Sequence, residues 1–180
     1  YEIMPSLVGS EMCIRDRGDI LVTPLQMAMV YCGLAMDGVE WTPHLFHAAV
    51  ARDGEGDVYS YEPKKRLTAK VEKEQSLQVV HNGLHRMIYE ESETIARHFR
   101  NLPVQVAGKT GTGEKSGESD YGWFIAYAPF DDPKYVIAGM VEQGGFGSVC
   151  GTPIVRTVLG AIYDTPTEYD FLSGGTDESR

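Results

Sequence analysis

The chain has 180 residues, 42% of them hydrophobic and 23% charged, which suits one globular domain or a large part of one. With 26 acidic against 16 basic residues the formal net charge is −10, and that argues against nucleic acid or an anionic membrane surface as a partner. No run of 18 apolar residues occurs, so no membrane-spanning segment is read, and Cys13, Cys32 and Cys150 show neither paired nor zinc-type spacing.

Residues 1–17 lack a helical or strand period. They also lack the continuous apolar core of a signal peptide, which Glu11 and Asp16 would interrupt. The stretch from Met4 to Arg17 resembles a string that recurs at the ends of unrelated conceptual translations when sequencing-adapter DNA is read in frame. It is therefore set aside as a non-native segment that should not pack on the domain. Residues 18–164 are read as the domain, and 165–180 as a flexible tail whose last five residues, Thr176 to Arg180, are expected to be disordered.

Thr23-Pro24-Leu25-Gln26 is a helix start: Thr23 can cap, Pro24 suits the first helical position and Gln26 completes a capping box. The helix should run from Pro24 to about Met36, with Leu25, Ala28, Met29, Cys32, Ala35 and Met36 on its apolar face, and Asp37-Gly38 should end it. Cys32 reads as a small core residue.

His47–Arg52 and Asp57–Tyr61 flank Asp53-Gly54-Glu55-Gly56, a hairpin signal, and Pro63-Lys64-Lys65-Arg66 reads as a solvated basic connector. A second helix is expected over Lys73–Tyr89 with Leu77, Val80, Leu84, Met87 and Ile88 inward; Gly83 inside it costs helix stability and hints at close packing. His81 and His85 lie one turn apart, a spacing that could hold a metal. Asn82 stands where a zinc protease helix needs Glu, and the two are read as surface or half-buried histidines. A short third helix is expected over Ser92–Phe99.

The remainder reads as a meander. Strands are expected over Val104–Thr112, Tyr121–Ala128 and Lys134–Glu142, paired antiparallel in that order. A polar turn over Glu114–Asp120 joins the first two, Pro129–Pro133 turns between the second and third, and a final helix opens at Thr152-Pro153 with Ile154, Val155, Val158, Leu159 and Ile162 on one face.

Within this meander, Val106-Ala107-Gly108-Lys109-Thr110-Gly111-Thr112-Gly113 carries more chemistry than a buried strand needs. Lys109 supplies a point charge, Thr110 and Thr112 supply rotatable hydroxyls, and Gly111 lets a backbone or ligand come close. Gly108-Lys109-Thr110 ends like a phosphate-binding loop, but the glycine required five residues earlier is Pro103; the dinucleotide fingerprint fails at Ser116. Two readings stay open on these residues alone: a glycine-rich hairpin arm with a solvated lysine, and the Lys-Thr-Gly element of serine acyltransferases that bind penicillin.

Four stretches carry a wider resemblance. Gly18 to Ala28, Gly108 to Thr112, Trp123 to Pro129 and Gly151 to Val155 resemble, in order and spacing, segments of the high-molecular-weight penicillin-binding proteins of the monofunctional D,D-transpeptidase type. The resemblance runs from Gly18 to about Tyr163 and implies an α+β fold, an antiparallel sheet flanked by helices, transpeptidase-like and incomplete. It implies a protein that cross-links peptidoglycan stem peptides ending in D-Ala–D-Ala and is acylated by β-lactams. The parent would lie on the outer face of the bacterial cytoplasmic membrane, with other wall-synthesis proteins as partners and with no cofactor, metal or nucleic acid. D,D-carboxypeptidase, serine β-lactamase and a non-catalytic β-lactam sensor share the motif; the Thr-Pro-Leu-Gln helix favours the transpeptidase.

By the same resemblance Lys109 would sit beside the family's Ser-x-Asn motif and assist proton transfer. Thr110 and Thr112 would bind the terminal carboxylate, Gly111 would let the peptide lie alongside, and the Thr112 N–H would be one oxyanion donor. Trp123 would back the strand or serve as a plain core aromatic. The family's nucleophile is a Ser followed three residues later by Lys. No such pair occurs here, since Ser6, Ser60 and Ser76 have Gly9, Pro63 and Val79 at that offset, and Ser-x-Asn is absent too. The chain therefore looks like the C-terminal part of the domain, without its nucleophile and base.

Overall fold

The computed structural model describes residues 22–52, 57–68, 74–113 and 119–165. The expectations placed on residues 1–17, on the tail beyond 165, on Asp53–Gly56 and on most of the polar turn before Ser119 lie outside them.

Helix α1 (Pro24–Ala35) opens with the expected capping box. The Gln26 amide donates to the Thr23 hydroxyl at 3.2 Å and the Thr23 amide to the Gln26 side chain at 2.8 Å. It closes where Asp37 (φ 52°) and Gly38 (φ 92°) turn left-handed. Its buried face differs from the expected one. Tyr31 and Ala35 are buried, Cys32 is half-buried, and Leu25 and Met36 are exposed. The helix is apolar almost all round, so its periodicity alone could not say which side turns inward.

Strand β1 (Val39–Trp41) pairs antiparallel with β4 (Lys65–Thr68), and β2 (Ala48–Val50) with β3 (Asp57–Ser60). The second pair is the expected hairpin. The first corrects the connector reading: Lys65 and Arg66 are solvated, as expected, but belong to a strand with all four residues exposed. There Arg66 binds Glu40 at 2.9 Å and the Lys65 ammonium lies 5.6 Å from the centre of the Trp41 ring.

Helix α2 (Glu74–Tyr89) turns Met87 and Ile88 into the core, with Leu77 and Leu84 half-buried, whereas Val80 is exposed. Gly83 faces open space, and an added Cβ would meet nothing within 4 Å, so the close packing expected there does not exist. Helix α3 (Glu93–Phe99) follows.

The last three strands form one sheet in the order β5-β6-β7, antiparallel as expected: β5 is Ala107–Gly113, β6 Tyr121–Ala128 and β7 Tyr135–Val141. Strand β5 starts three residues later than expected because Val104 lies in a bend and Gln105 is held outside the ladder; the Gln105 carbonyl accepts from the Phe130 amide at 2.8 Å. All eight residues of β6 are buried, as befits a central strand covered on both faces. Tyr121, Trp123, Ile125 and Tyr127 join Tyr31 and Ala35 of α1 on one face. Phe124, Ala126 and Ala128 join Ile88, Ile95 and Phe99 of the helices, with Val155 and Leu159, on the other.

The last two belong to α4 (Gly147–Ile162), which begins well before the expected Thr152-Pro153. A Cβ on Gly147 would run into the carbonyl oxygens of Trp123 and Gly111, and one on Gly151 would stand 2.8 Å from the Phe124 Cβ. These small residues let the first turns of α4 lie against β6, and that packing overrides the signal of Pro153. The proline withholds a donor only from the carbonyl of Val149, a residue that is 61% exposed. The inward face of α4 is Gly151, Thr152, Val155, Arg156, Leu159 and Gly160, while the expected Val158 and Ile162 are exposed.

Candidate active site on the edge strand

Among the described residues strand β5 is an edge strand, bonded to β6 on one side and to no strand on the other. Its N-terminal end is anchored by α2, where the Val106 amide donates to the Tyr89 hydroxyl at 3.1 Å and the His85 Nε2 lies 2.9 Å from the Gln105 side-chain oxygen. One face of the sheet carries α1 over β6 and β7, while β5 itself packs against α2 and the start of α4. The stretch Lys109-Thr110-Gly111-Thr112 is therefore held by its neighbours while one backbone edge stays open for β-addition.

Register places Lys109 opposite Ile125 and Gly111 opposite Trp123. Directly opposed residues share a face of the sheet, here the face that carries α1. A pocket of about 120 Å³ opens there, lined by Met27, Tyr31, Lys109, Thr110, Gly111, Thr112, Trp123 and Ile125. The structure thus brings all four candidate residues to one concavity. Complete small-molecule sites run from roughly 300 Å³ upward, so this pocket takes part of a ligand rather than the whole.

Lys109 is exposed and its ammonium donates to the Thr110 carbonyl at 3.2 Å; among the described residues it meets no carboxylate. A cation with no counter-charge among the described residues, beside two half-buried threonines, suits an external anion. Trp123 is 2% exposed, a core aromatic that also forms pocket floor, and an added Cβ at Gly111 would stand 3.3 Å from its Cβ. A side chain here would crowd the tryptophan opposite as well as any ligand in the pocket.

Met27, Tyr31 and Ile125 are site residues that sequence reasoning did not assign to the pocket. Only Tyr31 left a signal, a hydroxyl in a helix otherwise nearly free of polar groups. Burial pushes its phenol pKa up, so it presents a neutral hydroxyl to the pocket wall. His81 and His85 are half-buried and engaged with Tyr127 and Gln105 respectively. Among the described residues no three His, Cys, Asp or Glu side chains converge as a metal site.

The transpeptidase domain of penicillin binding proteins matches residues 13–160. Peptidoglycan D,D-transpeptidase MrdA of Haemophilus influenzae is 31% identical over 154 residues, covering 76% of this chain and 23% of that protein. Peptidoglycan D,D-transpeptidase PbpA of Mycolicibacterium smegmatis is 31% identical over 152 residues, covering 79% and 30%. The chain thus spans about a quarter to a third of the length of these relatives. The D,D-transpeptidase domain of a peptidoglycan glycosyltransferase from Eggerthella lenta superposes with a TM-score of 0.66 at 29% identity, over 87% of this chain and 36% of that one. An imipenem acyl-enzyme of penicillin-binding protein A from M. tuberculosis shares the fold, with a TM-score of 0.68 at 22% identity over 81% and 32%. The α+β architecture, the edge strand with its Lys-Thr-Gly-Thr run and these matches agree: the chain belongs to the penicillin-binding protein transpeptidase domain family.

Proposed function

We propose that this chain supplies the strand side of a peptidoglycan D,D-transpeptidase centre that works through a serine acyl-enzyme. The observation that carries the reading is the convergence of Lys109, Thr110, Gly111 and Thr112 on one pocket along an open strand edge. The stem peptide adds to that edge as an extra strand, and its terminal carboxylate takes the hydroxyls of Thr110 and Thr112 in the field of Lys109.

The serine oxygen attacks the carbonyl carbon of the D-Ala–D-Ala bond, and negative charge develops on the carbonyl oxygen. The Thr112 N–H and the N–H of the nucleophilic serine receive that charge; losing one such donor typically costs about 10²–10³ in rate. The bond to the terminal D-Ala breaks, D-Ala leaves with a proton, and an amine of a neighbouring stem peptide resolves the ester. A β-lactam enters by the same attack on its ring carbonyl.

The serine and its lysine base come from sequence outside this chain, because no Ser here has a Lys three residues later. Residues 18–164 are then the C-terminal part of the domain. Peptidoglycan sets the domain's place on the outer side of the cytoplasmic membrane. Among the described residues no helix is long and apolar enough to cross one.

Fluorescent penicillin followed by denaturing electrophoresis tests the reading. This chain is expected to stay unlabelled, and a longer chain that includes the upstream Ser-x-x-Lys segment to be labelled. Lys109→Ala in the longer chain should weaken labelling by about 10²-fold, the scale of losing one charge-stabilising group. Unchanged labelling of that variant would remove Lys109 from the site, and a stoichiometric band on the short chain would mean that one of its own serines is the nucleophile.

A further inference from the structure

Away from the pocket, two polar side chains from separate parts of the chain, Tyr127 and Asp37, converge on His81 of α2. Its Nδ1 lies 2.6 Å from the Tyr127 hydroxyl of β6, and its Nε2 lies 3.7 Å from a carboxylate oxygen of Asp37, just beyond α1. The His81 and Tyr127 rings meet edge to face, with centroids 5.8 Å apart and planes at 84°. Tyr127 is 1% exposed. Desolvation, with smaller contributions from Tyr31 and Asp37, pushes its phenol up to about 12, so the hydroxyl keeps its proton and can donate to Nδ1. Among the described residues the buried His81 Nε2 has no hydrogen-bond partner. A buried polar atom of this kind asks for an explanation, and the nearby Asp37 carboxylate supplies an electrostatic one.

The arrangement matters because α1 is apolar nearly all round. Burial is non-directional and leaves the rotation of such a helix about its axis loosely defined, whereas a hydrogen bond has a direction. Tyr31 lies close enough to Tyr127 to act on it electrostatically and also lines the pocket opposite Lys109. A continuous path therefore runs from His81 through Tyr127 to the α1 wall of the candidate site.

We propose that His81 is a positioning residue: its ring, set between Tyr127 and Asp37, fixes the end of α1 against β6 and so holds Tyr31 and Met27 at their places across the pocket from Lys109. This rests on the reading of that pocket as the transpeptidase cleft.

The test uses the longer chain with the upstream serine and lysine, and separates penicillin acylation into a non-covalent binding constant and a first-order covalent step. Misplacing a catalytic wall by a fraction of an ångström to about 1 Å is worth roughly ten- to a hundredfold in rate. His81→Leu is expected to slow the covalent step about tenfold, at the lower end of that range, with a smaller change in binding. His81→Asn, whose amide can reach the position of Nδ1, should recover most of the rate, and Tyr127→Phe, which removes a single hydroxyl, should behave like His81→Leu. Parental rates in Tyr127→Phe and His81→Leu would overturn the proposal. So would a His81→Asn variant as slow as His81→Leu at equal melting temperature, since the ring would then only fill space. If His81→Leu does not fold, Tyr127→Phe decides. Lys109→Ala keeps the two readings apart: a parental rate there removes the cleft assignment, whereas a slow Lys109→Ala beside parental His81 variants removes only the role of His81.

Discussion

Gly111 stands directly opposite Trp123 across the β5–β6 ladder, and a methyl group at Gly111 would come within 3.3 Å of the Trp123 Cβ and 4.0 Å of its Cγ. Trp123 is buried in mid-strand and its Cβ moves only with the backbone. Gly111→Ala is therefore expected to destabilise the domain by about 1 kcal/mol, the low end for overpacking. In the longer chain it should also slow penicillin acylation by shifting the strand that carries Lys109 and Thr112. Urea unfolding checks the first effect; an unchanged midpoint would mean that the strand absorbs the methyl group.

Gly83 gives the opposite expectation. It lies in α2 with open space where a side chain would go. Gly83→Ala should stabilise the protein by about 0.5–1 kcal/mol through helix propensity and a less entropic unfolded chain. Thermal unfolding should move up by about 2–4 °C for a domain of this size. A drop would show a contact to Gly83 that the fold does not contain.

Arg156 is buried without a carboxylate partner among the described residues; its Nε donates to the His98 carbonyl at 2.6 Å and a terminal nitrogen to the Thr165 carbonyl at 3.4 Å. Burial lowers its pKa. The guanidinium ties the last turn of α3 to α4 and to Thr165 just beyond it. Arg156→Met should cost about 1–3 kcal/mol, the scale of a lost charge-assisted bond that leaves carbonyls short of a donor. Arg156→Lys should restore little of it, since one ammonium cannot reproduce the fork. Equal unfolding midpoints for the parent and Arg156→Met would contradict this role.

Alkaline stability should depend on Tyr127. Its phenol titrates near 10 when unfolded and is pushed up to about 12 in the fold. The folded state thus holds a proton that the unfolded state has released. The associated stability is complete below pH 10 and is lost as pH rises through 12. Burial raises Tyr31 and Tyr89 in the same direction. Tyr127→Phe should flatten the loss between pH 10 and 12, measured as unfolding free energy against pH; a slope equal to the parent's would place that proton elsewhere.

Much of the architecture was legible in local chemistry. Thr23 and Gln26 announce the capping box, Asp37-Gly38 the end of α1, and the apolar run Tyr121–Ala128 the central strand; each is observed. The antiparallel order of the last three strands followed from short turns between them. The Lys109 to Thr112 stretch stood out because a buried strand has no use for its ammonium, hydroxyls and glycines together. All of these are signals confined to a few neighbouring residues.

What the tertiary structure decided is which surfaces meet. Nothing local says that α1 rests on β6 and β7, on the sheet face that Lys109 shares, or that Met27 and Tyr31 complete the pocket with Trp123 and Ile125. In an all-round apolar helix every face satisfies the hydrophobic effect equally, and only the shape of the partner selects one. The same reason explains α4. Thr152-Pro153 is the stronger local start signal, yet Gly147 and Gly151 let the chain coil earlier against the backbone of β6. The bond between His81 and Tyr127 spans 46 positions and has no sequence signature at all. Local propensities are worth tenths of a kcal/mol per residue, whereas burying a helix face is worth several, so where the two disagree packing prevails.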